Sequence, residues 1–260
     1  MRVWRAKPPG RSQGHWYTTD HANHKDKVLP SVTGITGILD KPGLVPAAVK
    51  LSVEKLAEQF QLSGDDQTVK AAKKHYKEVW GTAAKEGTEA HIIAARMMTG
   101  EEYDVPASLP SIVESVDLYR ESLGDIEIIG VERLLAHPFL NYAGAADFIY
   151  SRNGQVTIDD WKTGSIGYPE QAAQLAGYAL AYAQERFPDL VPGEVPPIEA
   201  RVVRLNKADT PGYTVRVVNL CNAIRMFVAA HELWVTSKQE VWSDVDLVEE
   251  QQPLVSANAL

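Results

Sequence analysis

The sequence predicts an α/β fold in which a mixed central sheet is flanked by helices and preceded by a helical N-terminal region. Apolar residues recur at helical spacing through much of residues 45–123, and β-rich runs begin just after Gly124. Helical and strand-like segments then alternate, which is typical of a sheet with helices on its faces. With 260 residues, 45% of them hydrophobic, the chain is long enough to bury one domain core with an extension.

The first 123 residues are predicted to be mainly helical. Residues 1–30, which are rich in Pro, Gly, His and Asp, predict a loop or a short hairpin around 15–17. Ser31 is typical of a helix N-cap. The helical patterns that follow span 45–62, 66–80, 82–98 and 110–123, with a break at 63–65 between the first two.

The second half is predicted to carry the sheet. A Pro-rich loop separates its first helix from the strands that follow, and an acidic tail after Val241 is expected to fray. Strands are predicted over 125–136, 143–151, 155–162, 198–206 and 213–218, and helices over 168–186 and 220–237.

Composition excludes several classes of protein. The only cysteine is Cys221, so we expect no disulfide framework, no Cys-rich zinc site and no iron-sulfur cluster. No apolar run approaches the length of a membrane span, and a cytoplasmic location is expected. The net charge of -8 argues against a surface that is basic throughout, but it allows basic residues to be concentrated in one groove.

The turn at 153–154 sets the register of two neighbouring strands. Asn-Gly between two β-rich runs favours a two-residue type I′ turn, which pairs Arg152 with Gln155. The same register places Asp147 opposite Asp160. Two carboxylates are therefore expected side by side on one face of the sheet.

Something must offset the repulsion between these carboxylates. Ile149 and Ile158 share their face, which is therefore expected to be buried, and burial strengthens the repulsion. A bridging Mg²⁺ or Mn²⁺ is the simplest compensation, because hard cations prefer oxygen ligands. The period of two along a strand puts Lys162 on the same face as Asp160, and Ala145 opposite it leaves room for a substrate.

Two carboxylates, a cation and an ammonium group suit phosphodiester hydrolysis. The metal would generate hydroxide and neutralise the phosphate, while Lys162 would orient the nucleophile or stabilise developing negative charge. The alternative is that Asp147 and Asp160 are solvated sheet residues and that Lys162 is an ordinary salt-bridge partner.

Four motifs follow one another along the chain. They are Gly87-Thr-Glu-Ala-His91, Gly144-Ala-Ala-Asp147, Ile158-Asp-Asp160-Trp-Lys162-Thr-Gly164 and Gln174-Leu-Ala-Gly-Tyr178. In this order and spacing they resemble the RecB-like branch of the PD-(D/E)XK nucleases, and the resemblance covers roughly residues 85–182. The absence of a cysteine set makes the closer comparison one with cluster-free bacteriophage and repair exonucleases.

The resemblance implies a restriction-endonuclease-like fold and a set of site residues. His91 would complete a metal shell with Asp147 and Asp160. The implied catalytic residues are Asp147, Asp160, Lys162 and the additional acidic residue Glu132, whose register the sequence does not fix. Gln171, Gln174 and Tyr178, which share a helix face, are the implied substrate-binding residues.

The implied function is metal-dependent DNA hydrolysis, as an exonuclease in phage recombination, repair or replication. One or two Mg²⁺ or Mn²⁺ ions and DNA ends or single strands would bind, and a phage recombination or single-strand-binding protein and a second copy are candidate partners. Two alternatives stay open: a catalytically silent DNA-binding or assembly subunit, and an enzyme such as a glycosidase that uses the carboxylates for acid-base chemistry.

The implied division of the chain is a helical N-terminal region over 1–84 that roofs a cleft, a nuclease core over 85–240 and a flexible acidic tail over 241–260. The N-terminal region also contains a basic stripe at helical spacing, which predicts either a phosphate track or a solvated helix face. Its residues are Lys70, Lys73, Lys74 and Lys77, with His75, Tyr76 and Trp80 nearby.

Overall fold

The structure is a computed structural model. The predicted break at 63–65 and the predicted tail at 241–260 lie outside the residues that it describes, as do the side chains of 57, 59, 60 and 66–73. The described residues are 2–6, 15–20, 28–39, 44–60, 66–187, 189, 194–207 and 210–239.

Strands and helices follow the predicted order. From Leu44 onwards, the predicted ends agree to within two residues except inside one long helix. The strands are β1 (Trp4–Ala6), β2 (Trp16–Thr18), β3 (Leu29–Pro30), β4 (Glu127–His137), β5 (Tyr142–Arg152), β6 (Gln155–Lys162), β7 (Ile198–Leu205) and β8 (Tyr213–Val217). The helices are α1 (Val32–Thr36), α2 (Leu44–Phe60), α3 (Asp66–Thr99), α4 (Ile112–Leu123), α5 (Pro169–Arg186) and α6 (Leu220–Thr236).

A mixed five-stranded sheet forms the centre of the fold, in the order β4-β5-β6-β7-β8. Neighbouring strands are antiparallel except for β6 and β7, which are parallel and joined through α5. A parallel pair needs such a crossover because its strands cannot be joined by a tight turn. The sheet and its flanking helices confirm the predicted α/β class.

The turn between β5 and β6 has the predicted geometry. Asn153 and Gly154 both have positive φ angles, 53° and 82°, as a type I′ turn requires. Arg152 pairs with Gln155, and the recorded ladder continues to the pair formed by Phe148 and Asp159. Asp147 and Asp160 follow one step beyond it, so the predicted register is confirmed up to their neighbours.

The two faces of the sheet pack on different helices. One face carries the fully buried Ile149 and Ile158 against α1, α5 and α6, and the other carries Phe148 and Trp161 against α3 and α4. Alternating residues of β5 and β6 therefore face separate cores, which fixes the direction of each side chain.

One long helix replaces two predicted ones. The sequence predicted helices over 66–80 and 82–98, but α3 runs without interruption from Asp66 to Thr99. Gly81, which lies between the two predicted helices, is inside α3 with no atom near the position that its Cβ would take. A helix-interior glycine costs only about 1 kcal/mol relative to alanine, so a helix of this length can include it.

The N-terminal segment forms a small antiparallel sheet in place of a loop or single hairpin, in the order β1-β2-β3. Ser31 caps α1, as predicted, by accepting a hydrogen bond from the Gly34 backbone. β2 and β3 contact β5, and Ser31 forms an isolated bridge with Ala143. Every helix in the described ranges is too short or too polar to cross a bilayer.

Candidate active site

A cleft of about 680 Å³ opens where the N-terminal sheet, α3 and α5 meet β4, β5 and the end of β6. Four of the predicted residues that line it lie on four different elements: His91 on α3, Glu132 on β4, Asp147 on β5 and Asp160 on β6. The structure therefore brings together residues that are up to 69 positions apart in the chain.

Three carboxylates cross the sheet in one row. The β4–β5 pairs on either side of Glu132 place it opposite Asp147, and the β5–β6 register places Asp147 opposite Asp160. Glu132 itself has a φ of 47°, in the left-handed region that non-glycine residues rarely adopt. Such strain persists where the surrounding structure holds it, and it occurs often at functional sites.

Three ligand groups converge at the centre of the cleft. One potential ligand atom from each of His91, Glu132 and Asp147 lies within 4.8 Å of the others. Burial and the nearby Lys162 charge lower the pKa of His91, so its ring is neutral near pH 7. A neutral imidazole nitrogen and two carboxylate oxygens form a donor set that divalent transition metals accept.

Asp147 is fixed by a hydrogen bond, and its surroundings disfavour the ionised form of its carboxylate. Its Oδ2 accepts a hydrogen bond from the Trp161 backbone N–H at 2.7 Å, and His91 Nδ1 lies 3.6 Å from the same oxygen. Burial and the Asp160 carboxylate raise the pKa of Asp147 well above its usual value. A cation beside it would restore the ionised form.

Asp160 and Lys162 form an ion pair on the same face of β6. Asp160 is 1% exposed, and neither of its carboxylate oxygens has a hydrogen bond of good geometry to a described residue; the Lys162 ammonium is its charge partner. Burial alone would lower the pKa of Lys162, but Asp160 and Asp147 together raise it, so the side chain stays charged.

These features fit a divalent cation. Buried carboxylate oxygens normally have hydrogen-bond or metal partners, and Oδ1 of Asp160 has no hydrogen-bond partner among the described residues. A cation held by Glu132, Asp147 and His91 would lie close to Asp160 and reduce the repulsion along the row.

Helix α5 supplies Gln174 and Tyr178 to the cleft wall, where the Gln174 Nε2 donates to the Tyr178 hydroxyl at 2.9 Å. The Tyr178 ring packs directly on Gly144, where an added Cβ would lie 2.6 Å from a ring carbon. Gln171 occupies a different place. Its amide caps the start of α5, accepting from the Gly167 and Tyr168 backbones and donating to Ser165, and it does not line the cleft.

The N-terminal sheet contributes cleft residues that the sequence pattern did not single out. Arg5 lines the cleft and lies 3.6 Å from Glu132, and the buried Tyr17 is hydrogen-bonded to the Ala145 backbone. Strands of three residues are too short to show a period of two. The one local signal was Ser31-Val-Thr33: Ser31 caps α1, its hydroxyl is hydrogen-bonded to that of Thr33, and both residues line the cleft.

Comparison with known protein families shows to which superfamily the chain belongs. The sequence model of the PD-(D/E)XK nuclease superfamily matches residues 51–253, more than half of the chain. The chain belongs to the PD-(D/E)XK nuclease superfamily. Its mixed sheet with flanking helices is the restriction-endonuclease-like fold that the sequence predicted. No curated protein matches the chain.

The row of acids fits the metal-dependent chemistry of the PD-(D/E)XK superfamily. Nucleases of this superfamily use divalent metals and act on nucleic acid, and this chain has a group of histidine and carboxylate ligands in its cleft. The matched segment includes α3, the central sheet and α5, and so includes the elements that carry the acids, His91 and Lys162.

Proposed function

We propose that this PD-(D/E)XK nuclease is a metal-dependent deoxyribonuclease of the RecB-like branch. It would act as an exonuclease on DNA ends or single strands during phage DNA recombination, repair or replication, in the cytoplasm of the cell. The observation that carries the proposal is the convergence of His91, Glu132 and Asp147 beside the buried Asp160–Lys162 pair.

His91, Asp147 and Asp160 would hold one or two Mg²⁺ or Mn²⁺ ions, with Glu132 as the additional acidic residue. Bound there, the metal supplies an activated water and neutralises phosphate charge. The Trp161 backbone N–H fixes one oxygen of Asp147, which leaves its other oxygen and the neutral His91 ring available to the cation.

Lys162 has the position and the charge to act on the phosphate. Its ammonium stays protonated because the neighbouring acids raise its pKa. Lys162 would stabilise the negative charge that develops on the scissile phosphate during hydrolysis. Gln174 and Tyr178, hydrogen-bonded to each other at the wall of the cleft, would position the DNA backbone, while Gln171 fixes the start of their helix.

Digestion of end-labelled DNA tests the proposal. Single- and double-stranded DNA labelled at the 5′ or the 3′ end is incubated with Mg²⁺, with Mn²⁺ or with EDTA, and the products are followed over time. We expect cleavage that requires the metal and proceeds from one end. Binding without cleavage would contradict the proposal and favour a silent DNA-binding subunit, and sugar release that persists in EDTA would favour a glycosidase.

Two substitutions test the assignment of residues. Lys162→Ala and Asp160→Asn should each lower the cleavage rate by at least about 100-fold, as removal of a group that stabilises the transition state does. Lys50→Ala, on the exposed surface of α2, is the matched control. Circular dichroism and thermal unfolding establish that each variant is folded, and a folded Lys162→Ala protein that cuts as fast as the parent would refute the assignment.

A further inference from the structure

A single helix connects the active-site cleft to an exposed pair of lysines. His91 lines the cleft near the C-terminal end of α3, and Lys77 and Lys74 lie on the same uninterrupted helix, 14 and 17 residues earlier. At 1.5 Å per residue, these positions are about 21 and 26 Å from His91. The distance between lysines and cleft is therefore set by a rigid element.

The lysines also share the helix face that lines the cleft. With about 100° of rotation per residue, Lys77 and Lys74 lie about 40° and 100° from His91 around the helix axis. The cleft residues Ala95 and Ile92 fall at the same two angles. Lys74 and Lys77 are both exposed.

The surface from Lys77 to the cleft carries small side chains. Along it towards His91 come the exposed residues Gly81, Ala84 and Thr88, which lie within about 80° of His91 around the axis. Glu86 and Glu89 lie about 140° and 160° from His91. Glu78 borders the outer end of this surface, one turn after Lys74 and about 40° from it around the axis.

The remaining side of α3 is the one that packs. His75 and Tyr76 are partly buried in the part of α3 that runs beside α2, and Ala90 and Ala94 are buried against the core. These four positions lie on the opposite half of the helix surface from Lys74. The lysine face is therefore open to a ligand along its described length.

We propose that this face of α3 is a phosphate-binding track for the DNA strand that enters the cleft, with Lys74 and Lys77 as its outer contacts. The proposal rests on the proposed nuclease function. A chain with a net charge of -8 needs a local basic surface to hold a polyanion, and lysine ammonium groups release counterions when they neutralise phosphates. The small residues allow the sugar-phosphate backbone to approach the helix closely.

The fixed spacing predicts a length threshold. At 3.4 Å per base pair, a phosphate 21 to 26 Å from the metal-binding residues is roughly six to eight base pairs away. A shorter duplex held in the cleft cannot reach the lysines, whereas a longer one can. A single strand is more extended, so its threshold would come at fewer nucleotides.

Binding measurements with duplexes of graded length test the track. Fluorescein-labelled duplexes of four to sixteen base pairs are titrated in Mg²⁺ with Asp160→Asn protein, in which slow cleavage permits equilibrium measurement. We expect the affinity to rise steeply at about six to eight base pairs. On the longest duplex, adding Lys74→Glu and Lys77→Glu should weaken binding by at least about 10-fold and reduce the slope of log K against log salt by about two.

The matched control reverses the charge of two lysines on the neighbouring helix, Lys50→Glu and Lys55→Glu. In this control, the affinity should still rise with duplex length. The track would be refuted if the Lys74/Lys77 variant and this control bound the longest duplex with equal affinity. It would also be refuted if the affinity of the parent protein did not rise with duplex length. If metal-dependent cleavage persists in that case, the nuclease function stands. If the parent protein neither binds nor cuts DNA in Mg²⁺, the proposed function fails and the track fails with it.

Discussion

Burial and charge repulsion act together on Asp147. Its carboxylate lies between Glu132 and Asp160 in the row across the sheet, and its pKa is well above the usual value because of burial and the Asp160 charge. Without a cation, at pH values between the unfolded and the folded pKa, the folded protein therefore holds a proton at Asp147 that the unfolded chain has lost. The metal-free fold is stabilised by that proton and destabilised when the proton leaves.

Metal-free protein should lose stability as the pH rises. Because the folded pKa of Asp147 lies above the unfolded value of 3.8, its contribution is present below that value and is lost as the pH rises through the folded pKa. Mg²⁺ should reverse this loss, because it binds the ionised carboxylate and stabilises the folded state. Urea unfolding from about pH 4 to pH 8, with EDTA or with Mg²⁺, measures both effects.

Asp147→Asn should flatten the pH dependence in EDTA and reduce the stabilisation by Mg²⁺. Asp117→Asn, on the exposed side of α4, should leave both unchanged. A parent and an Asp147→Asn variant with the same pH dependence in EDTA would show that Asp147 does not titrate in this way.

At the residue scale, turn chemistry decides which contacts the sequence can predict. Asn153 and Gly154 specify a tight turn by themselves, so the register of Asp147 and Asp160 follows from the local sequence. Glu132 could not be placed in this way. Strands β4 and β5 are joined by a four-residue connection with no comparable turn signal, so the local sequence does not fix their register.

At the element scale, β6 joins the cleft to a separate buried network. Asp159 faces away from the cleft and is fully buried, where it accepts hydrogen bonds from Arg201 Nε at 2.8 Å and from Arg201 Nη2 at 2.6 Å. The Tyr119 hydroxyl donates to the same carboxylate. These contacts connect β6, which carries both Asp159 and Asp160, to β7 and α4 on the face of the sheet away from the cleft.

Arg201→Met should destabilise the protein by about 3 to 5 kcal/mol, because it leaves the Asp159 carboxylate buried without its cation. Adding Asp159→Leu and Tyr119→Phe should restore most of the loss, since no buried charge or unpaired hydroxyl then remains. The free energy of unfolding in urea measures both changes. A triple variant no more stable than Arg201→Met would show that the network contributes more than charge compensation.

The continuity of α3 shows what helix patterns fail to predict. Two helices were predicted on either side of Gly81, a residue that is typical of a helix end. Its propensity cost of about 1 kcal/mol is small compared with what the rest of a long helix can gain from packing, and the contacts of α3 with α2 and α4 are tertiary contacts that a local pattern does not contain. Caps and turns are local, so the ends of α4, α5 and α6 were predicted closely.

At the scale of the whole molecule, the N-terminal sheet is part of the active-site wall. Tyr17 on β2 is 4% exposed and lines the cleft, and its hydroxyl is hydrogen-bonded to the Ala145 backbone of β5. The sequence could not predict this contact, because three very short strands carry no periodic signal and their partner lies more than 100 residues away.

Tyr17→Ala should cost about 3 to 5 kcal/mol, as the loss of a buried aromatic ring does. Tyr17→Phe keeps the ring and loses only the hydrogen bond with the Ala145 backbone, so it should cost about 1 kcal/mol. Urea unfolding of both variants measures the difference. Equal stability of Tyr17→Ala and the parent would show that the N-terminal sheet does not stabilise the core.

The consecutive acids of β6 make this strand intolerant of changes in length. Asp159 neutralises Arg201 on one side of the sheet and Asp160 faces the cleft on the other, so an insertion or deletion of one residue in β6 would exchange their environments. Such a change would remove Asp160 from the cleft and would break the Asp159–Arg201 ion pair on the other face of the sheet. We therefore expect functional homologues to vary in length within surface loops and to conserve the number of residues between the Asn-Gly turn and Lys162.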